Sequence, residues 1–149
     1  MSGKNKKKKV PSIEKEPSPS KTVKFATDPD VRGKPISWRF SSVDRGGPYS
    51  WAALEDPATY KAVIQKLSEI ETLSETDLRQ QGSHPIELHK LSGEAQQRLR
   101  EIHHDDIDSI FSIRLMGAVR VHCIHHLNVM RVLWYDPEHQ VCPAPLKNT

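Results

Sequence analysis

The sequence predicts an α+β domain: a strand, then helices, then a three-stranded antiparallel meander, behind a disordered basic N-terminal tail. Three observations carry this reading. A lysine-rich stretch with sparse apolar residues occupies residues 1–34. Apolar residues then recur at helical spacing between residues 57 and 103. From residue 109 the apolar period changes to two and holds to residue 135.

Residues 1–34 contain Lys6-Lys7-Lys8-Lys9 followed by a Pro/Ser/Lys/Glu mixture. Such a segment cannot bury enough surface to offset the entropy of ordering it, so disorder is expected. It reads either as a solubilising tail or as an arm that draws a polyanion toward the domain. Residues 35–149 form the domain. Ile36, Trp38 and Phe40 alternate with Ser37, Arg39 and Ser41, which predicts a half-buried strand. Asp44-Arg45-Gly46-Gly47-Pro48 predicts a loop.

Asp56 followed by Pro57 is an N-cap with proline at the first helical position. Tyr60, Val63, Ile64, Leu67 and Ile70 then give an amphipathic helix over about 57–72. Ser74 with Asp77 three residues on is a partial capping box, and Gly82 is placed to end that turn. Ser83-His84-Pro85 is expected to be irregular, because the residue before proline is driven out of the helical region. His84 and His89 read as polar loop residues, and Tyr49 and Trp51 as core contacts over the helices. Ser92 caps a further helix to about residue 103, with Ala95, Leu99 and Ile102 on one face.

In the meander, Phe111, Ile113, Leu115, Val119, Val121, Cys123, Met130, Val132 and Trp134 are expected on the helix-covered face. Asp136-Pro137 stops the last strand. The opposite face then gathers Ser112, Arg114, Arg120, His122, Arg131 and Tyr135. Arginine forks pair with phosphate oxygens, and histidine and tyrosine move protons or stack on bases. The same composition also fits an ordinary solvated face, since antiparallel sheets often show one side to water.

The whole chain has 22 Lys/Arg and 19 Asp/Glu, of which residues 1–34 hold ten and four. The remainder is therefore net acidic, and the basic balance belongs to the tail. Two cysteines are too few for a disulfide framework and suit a reducing cytoplasm. The lysines near the N-terminus lead into no apolar run, so neither a signal peptide nor a membrane span is expected. Histidines 103, 104, 122, 125, 126 and 139 crowd the C-terminal half, but their spacing matches no standard zinc set and no CxxC accompanies them. No metal or cofactor is expected.

The strand–helices–three-strand order resembles the RelE/ParE toxin superfamily. The likeness is carried by Ser112 to His122, two arginine-bearing strands about a tight turn, and by Asn128 to His139. The latter ends in Trp134-Tyr135-Asp136-Pro137-Glu138-His139, a Trp-x-Asp-Pro-x-His arrangement. The resemblance implies a toxin of a type II toxin–antitoxin system that cleaves mRNA without metal, free or on the ribosome, and is held by a cognate antitoxin. In that reading Arg120 and Arg131 stabilise phosphate, Arg114 supports them, and His122 or Tyr135 transfers protons. Asp136 and His139 orient the substrate. ParE-like members imply an alternative, a non-enzymatic interaction protein such as a gyrase-binding toxin or phage-defence factor. Removal of residues 1–34 is expected to shift the melting temperature by only a few degrees, because they carry no apolar pattern; loss of cooperative unfolding in calorimetry would make the tail part of the fold.

Overall fold

The computed structural model describes residues 30–143. Most of the expected tail, residues 1–29, lies outside that range, as do residues 144–149. Residues 31–34 form a turn closed by Lys34 N donating to Val31 O, and Thr76 Oγ1 donates to Arg32 O. Pro35 bridges to Ser74. The segment just before the first strand is thus already tied to the helical layer.

Eight elements of regular structure follow, with two short 3₁₀ turns. β1 is Ser37–Arg39. α1, Pro57–Ile70, starts where Asp56 accepts from Thr59 N at 2.9 Å, and it buries Val63, Leu67 and Ile70. α2, Glu75–Gln80, carries a complete capping box: Asp77 N donates to Ser74 Oγ and Ser74 N to Asp77 Oδ2. Gly82, at φ +98°, turns the chain out of it. β2 is His84–Glu87. α3, Gly93–Glu101, is capped by Ser92 Oγ and buries Ala95 and Leu99. β3 (Ser109–Met116), β4 (Val119–His126) and β5 (Val129–Asp136) complete the chain of strands. The 3₁₀ turns are Trp51–Ala53 and Leu88–Lys90.

The strands form one five-stranded mixed sheet in the order β1-β5-β4-β3-β2. β1 runs parallel to β5, with Ser37 opposite Val129; all other neighbours are antiparallel. His84 and Pro85, read from sequence as part of an irregular Ser83-His84-Pro85 segment, begin the edge strand β2. Proline is tolerated there because an edge strand has one side with no ladder to donate to.

Both faces of this sheet are covered, and this corrects the sequence expectation of one open polar face. On one face α1 and α2 pack Val63, Leu67, Ile70 and Leu78 against Phe111, Ile113, Leu115, Val121, Cys123, Met130, Val132 and Tyr135. On the other, α3 and residue 141 pack Ala95, Leu99 and Val141 against Ile110, Leu133 and Trp134, with Tyr49 and Ile86. The sheet carries two cores.

The sequence places Trp134 with Val132, and the reason this fails is a β-bulge. Cys123 pairs with Val132, but His122 pairs with Trp134, so Leu133 is an extra residue in β5. Leu133 and Trp134 both turn to the α3 face. Beyond them the alternation is inverted: Tyr135 returns to the α1 face and Asp136 to the α3 face.

The loop before the first 3₁₀ turn closes over the bulge. Asp44 N donates to Leu133 O and Tyr135 N to Tyr49 O, which satisfies the edge of β5 that β1 is too short to reach. Asp44, 5% exposed, accepts from Arg98 at 2.8 and 2.7 Å, from Trp134 Nε1 at 2.9 Å and from Gly46 N at 3.1 Å. Burial alone would raise its carboxyl, but these donors outweigh burial and hold it below the usual carboxylate range. The Arg98 guanidinium lies against Gly47, where a Cβ would come within 2.3 Å of its Nε and where φ is +76°. Asp44→Ala leaves the buried Trp134 N–H without its acceptor and leaves Arg98 with Glu101 as its remaining carboxylate partner. We expect a loss of about 1–3 kcal/mol in urea unfolding, against less than about 0.5 kcal/mol for an exposed control such as Glu55→Ala.

Candidate functional site

The register of the sheet assembles the site. On the α3 face His84 stands opposite Ser112, and Ser112 opposite His122. One step along, Arg114 stands opposite Arg120, and Arg120 opposite Asp136. Past Asp136 the chain crosses back over this face as a strap, residues 137–143. Between β2 and the strap lies a hollow of about 330 Å³ lined by Gly82, His84, Ser112, Arg120, His139 and Cys142, among others.

Arg120 is half-buried at its floor. Its Nη1 donates to Gly117 O at 2.7 Å and Val119 O at 3.2 Å, which fixes the guanidinium. Burial, and then the neighbouring Arg114 charge, lower its pKa, only partly opposed by Asp136. Like charges directly opposite in a ladder repel, so an anion between these arginines would relieve that repulsion. Arg114 is exposed, its side chain lying about van der Waals distance from Gly82. A neighbouring hollow of about 410 Å³ shares His84 and Cys142, but Glu87, Lys90 and Asp108 give it mixed charge and no comparable pull on an anion.

Behind the floor lies a buried pair. His122 Nε2 donates to Asp136 Oδ2 at 3.0 Å, both side chains being 2% exposed. Asp136 also accepts from Gln140 N at 2.8 Å and Val141 N at 3.0 Å. Burial would raise its carboxyl, but these three donors hold it below the usual range. His122 Nδ1 is buried with no partner. A proton there would be an unsatisfied donor, and burial pushes the ring below its ordinary pKa despite Asp136. The ring is therefore the neutral Nε2–H tautomer. The carboxylate's other partners anchor the strap, which Ser92 N→Val141 O and Cys142 Sγ→Lys90 O also pin. His139 is held on it at φ +58°, a left-handed conformation uncommon for histidine.

The residues expected from sequence are thus divided. Arg120 and His139 line the hollow, and Arg114 stands opposite Arg120 with its side chain near Gly82, outside the lining. Asp136 is close but buried, and acts on the site by fixing the strap. His122 lies under the floor with its reactive nitrogen enclosed. Arg131 bonds Ser42 Oγ at 2.7 Å and stands opposite Ile124, four positions along β4 from Arg120, roughly 13 Å away. Tyr135 is on the other face of the sheet, its ring tilted against Trp51 at 5.3 Å, with burial raising its hydroxyl pKa. Sequence reasoning missed His84. Its signal was Ile86 two residues on, a period-two fragment beside a proline that edge strands accept. Among the described residues no group of three or more His, Cys, Asp or Glu is placed to hold a metal ion, and no helix is long and apolar enough to cross a membrane.

His122 has its folded pKa depressed below the ordinary 6.5, so as pH falls through that value the unfolded chain takes up the proton first. Stability is expected to be level above about pH 6.5 and to decline below it. A second decline is expected below the carboxylate value of 3.8 as Asp44 and Asp136 protonate. In urea midpoints measured across pH, His122→Gln keeps a donor for Asp136 and should flatten the first decline; an unchanged slope would assign it elsewhere. No family model, no curated protein and no solved structure matches this chain, so the chemistry of the site is argued from its geometry.

Proposed function

We propose that the domain is a metal-independent endoribonuclease of the RelE-like toxin type, acting on mRNA, free or ribosome-bound, and restrained by a cognate antitoxin. The observation that carries this is Arg120 in the lining of a hollow that also offers His84 and His139, with Arg114 directly opposite it in the ladder. One fixed guanidinium, Arg120, with a second cation close by and proton-transfer groups beside it, suits a phosphodiester whose charge grows as it reacts. The strand–helices–strands order and the Trp134 to His139 segment support the same reading by resemblance. The lysines of residues 1–34 supply the long-range attraction for RNA that the net acidic domain lacks.

A second reading, a non-enzymatic interaction protein of the gyrase-binding or phage-defence kind, draws on a different observation. Phe40, on the segment after β1, and Tyr60 and Ile64 on α1 are exposed at 46%, 54% and 45%. Such residues suit a protein partner better than RNA. Inducible expression with transcript mapping separates the two. Growth arrest with cleaved mRNA supports the nuclease, and arrest with intact transcripts supports the second reading.

Arg120→Ala tests the nuclease site directly. Losing a charge-assisted contact of roughly 1.5–3 kcal/mol should lower RNA cleavage about 10- to 150-fold. The protein should stay folded. Arg120→Lys should recover only part of the loss, since it keeps the charge without the fork. Full activity in folded Arg120→Ala protein would remove this hollow as the site.

A further inference from the structure

The buried position of His122 and Tyr135 leaves the proposed cleavage without the proton carriers expected from sequence, and the hollow itself supplies replacements. We propose that His84 and His139 are its proton-transfer pair, an inference that rests on the RNA-cleavage reading above. His84 takes the proton from a ribose 2′-hydroxyl, and His139 gives one to the departing 5′-oxygen.

His84 has the right tautomer. Its Nδ1 lies 3.0 Å from Pro85 O. A carbonyl only accepts, so Nδ1 carries the hydrogen and Nε2 presents its lone pair. The side chain is exposed, and its place opposite Ser112 puts it on the α3 face of the edge strand. His139 comes from the other side. It follows Asp136, which faces Arg120 across the ladder, and the strap that carries it is fixed by the Asp136 carboxylate. Ser112 and Arg120 line the same hollow as the two histidines. A phosphate held there has one imidazole toward β2 and the other toward the strap. In-line displacement needs that arrangement, because the entering and leaving oxygens sit on opposite sides of phosphorus. His122 cannot substitute: Nε2 is committed to Asp136 and Nδ1 is enclosed.

The step balances without a co-reactant. The 2′-oxygen–phosphorus bond forms as the phosphorus–5′-oxygen bond breaks. The hydroxyl proton goes to His84 Nε2, and a proton from the His139 ring goes to the 5′-oxygen. The products are a 2′,3′-cyclic phosphate and a 5′-hydroxyl end, with no change in oxidation state.

The full chain is assayed on a panel of short single-stranded oligoribonucleotides, and the cleaved linkage is identified by mass spectrometry. The preferred oligonucleotide is then remade with a bridging sulfur in place of the 5′-oxygen at that linkage, since a thiolate departs without a proton. His84→Gln and His139→Asn are compared, asparagine being chosen because it tolerates the left-handed backbone at 139. Each variant should lose about 10²- to 10⁴-fold on the normal oligonucleotide. The sulfur should restore His139→Asn to within about tenfold of the wild-type chain and leave His84→Gln impaired. That rescue also shows the His139→Asn protein to be folded. Cleaving wild-type protein with unaffected variants, with rescue of neither variant, or with rescue of His84→Gln would overturn this assignment while leaving the nuclease reading intact. A wild-type chain that cleaves neither the panel nor mRNA held on ribosomes overturns the nuclease reading, and this assignment with it.

Discussion

The extra residue at Leu133 is the constraint on which the rest of the domain depends. Without it, strict alternation would send Trp134 to the α1 face and Asp136 with it. The bulge instead turns both toward α3. Trp134 then fills the second core and offers its indole N–H to Asp44. Asp136 meets His122 and gathers the backbone of residues 140 and 141. A single inserted position thus creates both the second core and the strap that frames the hollow.

Two buried carboxylates divide the labour on that face. Asp44 is long-range in sequence, joining a loop near the N-terminus to α3 and β5 through contacts 54 and 90 residues apart. Asp136 is local, closing a turn on its own chain while holding one histidine. Each is surrounded by donors, which is the condition for a buried carboxylate to remain charged. Neither arrangement tolerates a shift in the register of β5, since a slip by one residue would send Trp134 and Asp136 to the opposite face. Together they define one packing of the α3 layer over a sheet that could otherwise expose that side to water.

Much of this fold was legible in the sequence, and the limits of legibility have physical causes. Asp56-Pro57, Ser74 with Asp77, and Ser92 announce three helix starts because capping is local chemistry written in a few adjacent residues. The strands from 109 to 136 show in their alternation. Trp134 and Tyr135 were assigned to the wrong faces because a bulge changes no composition; it only offsets the count. Asp44 reads as a loop residue and is one, but its buried bonds to Arg98 and Trp134 do not show in the sequence because those partners are distant along the chain. His84 was passed over because a four-residue edge strand containing proline has too short a period to detect. The site was half legible for the same reason: Arg114, Arg120 and His139 lie in or beside regular alternation, whereas Arg131 was grouped with them without regard to its distance along the strand.

The parallel pairing of β1 with β5 has a consequence for how the domain is made. β1 is the first strand synthesised and β5 the last, with Ser37 waiting for Val129. Until residue 131 has emerged, Trp38 has no strand beside it, and the loop through Asp44 has neither Arg98 nor Trp134 to close upon. The antiparallel strands β3, β4 and β5 are linked by two-residue turns and assemble late and locally, whereas the opening segment joins only by closing a long loop, the slowest kind of contact to form. A nascent chain therefore carries β1 unpaired until residues 129–131 have been made, and closure of the described sheet waits for its last strand.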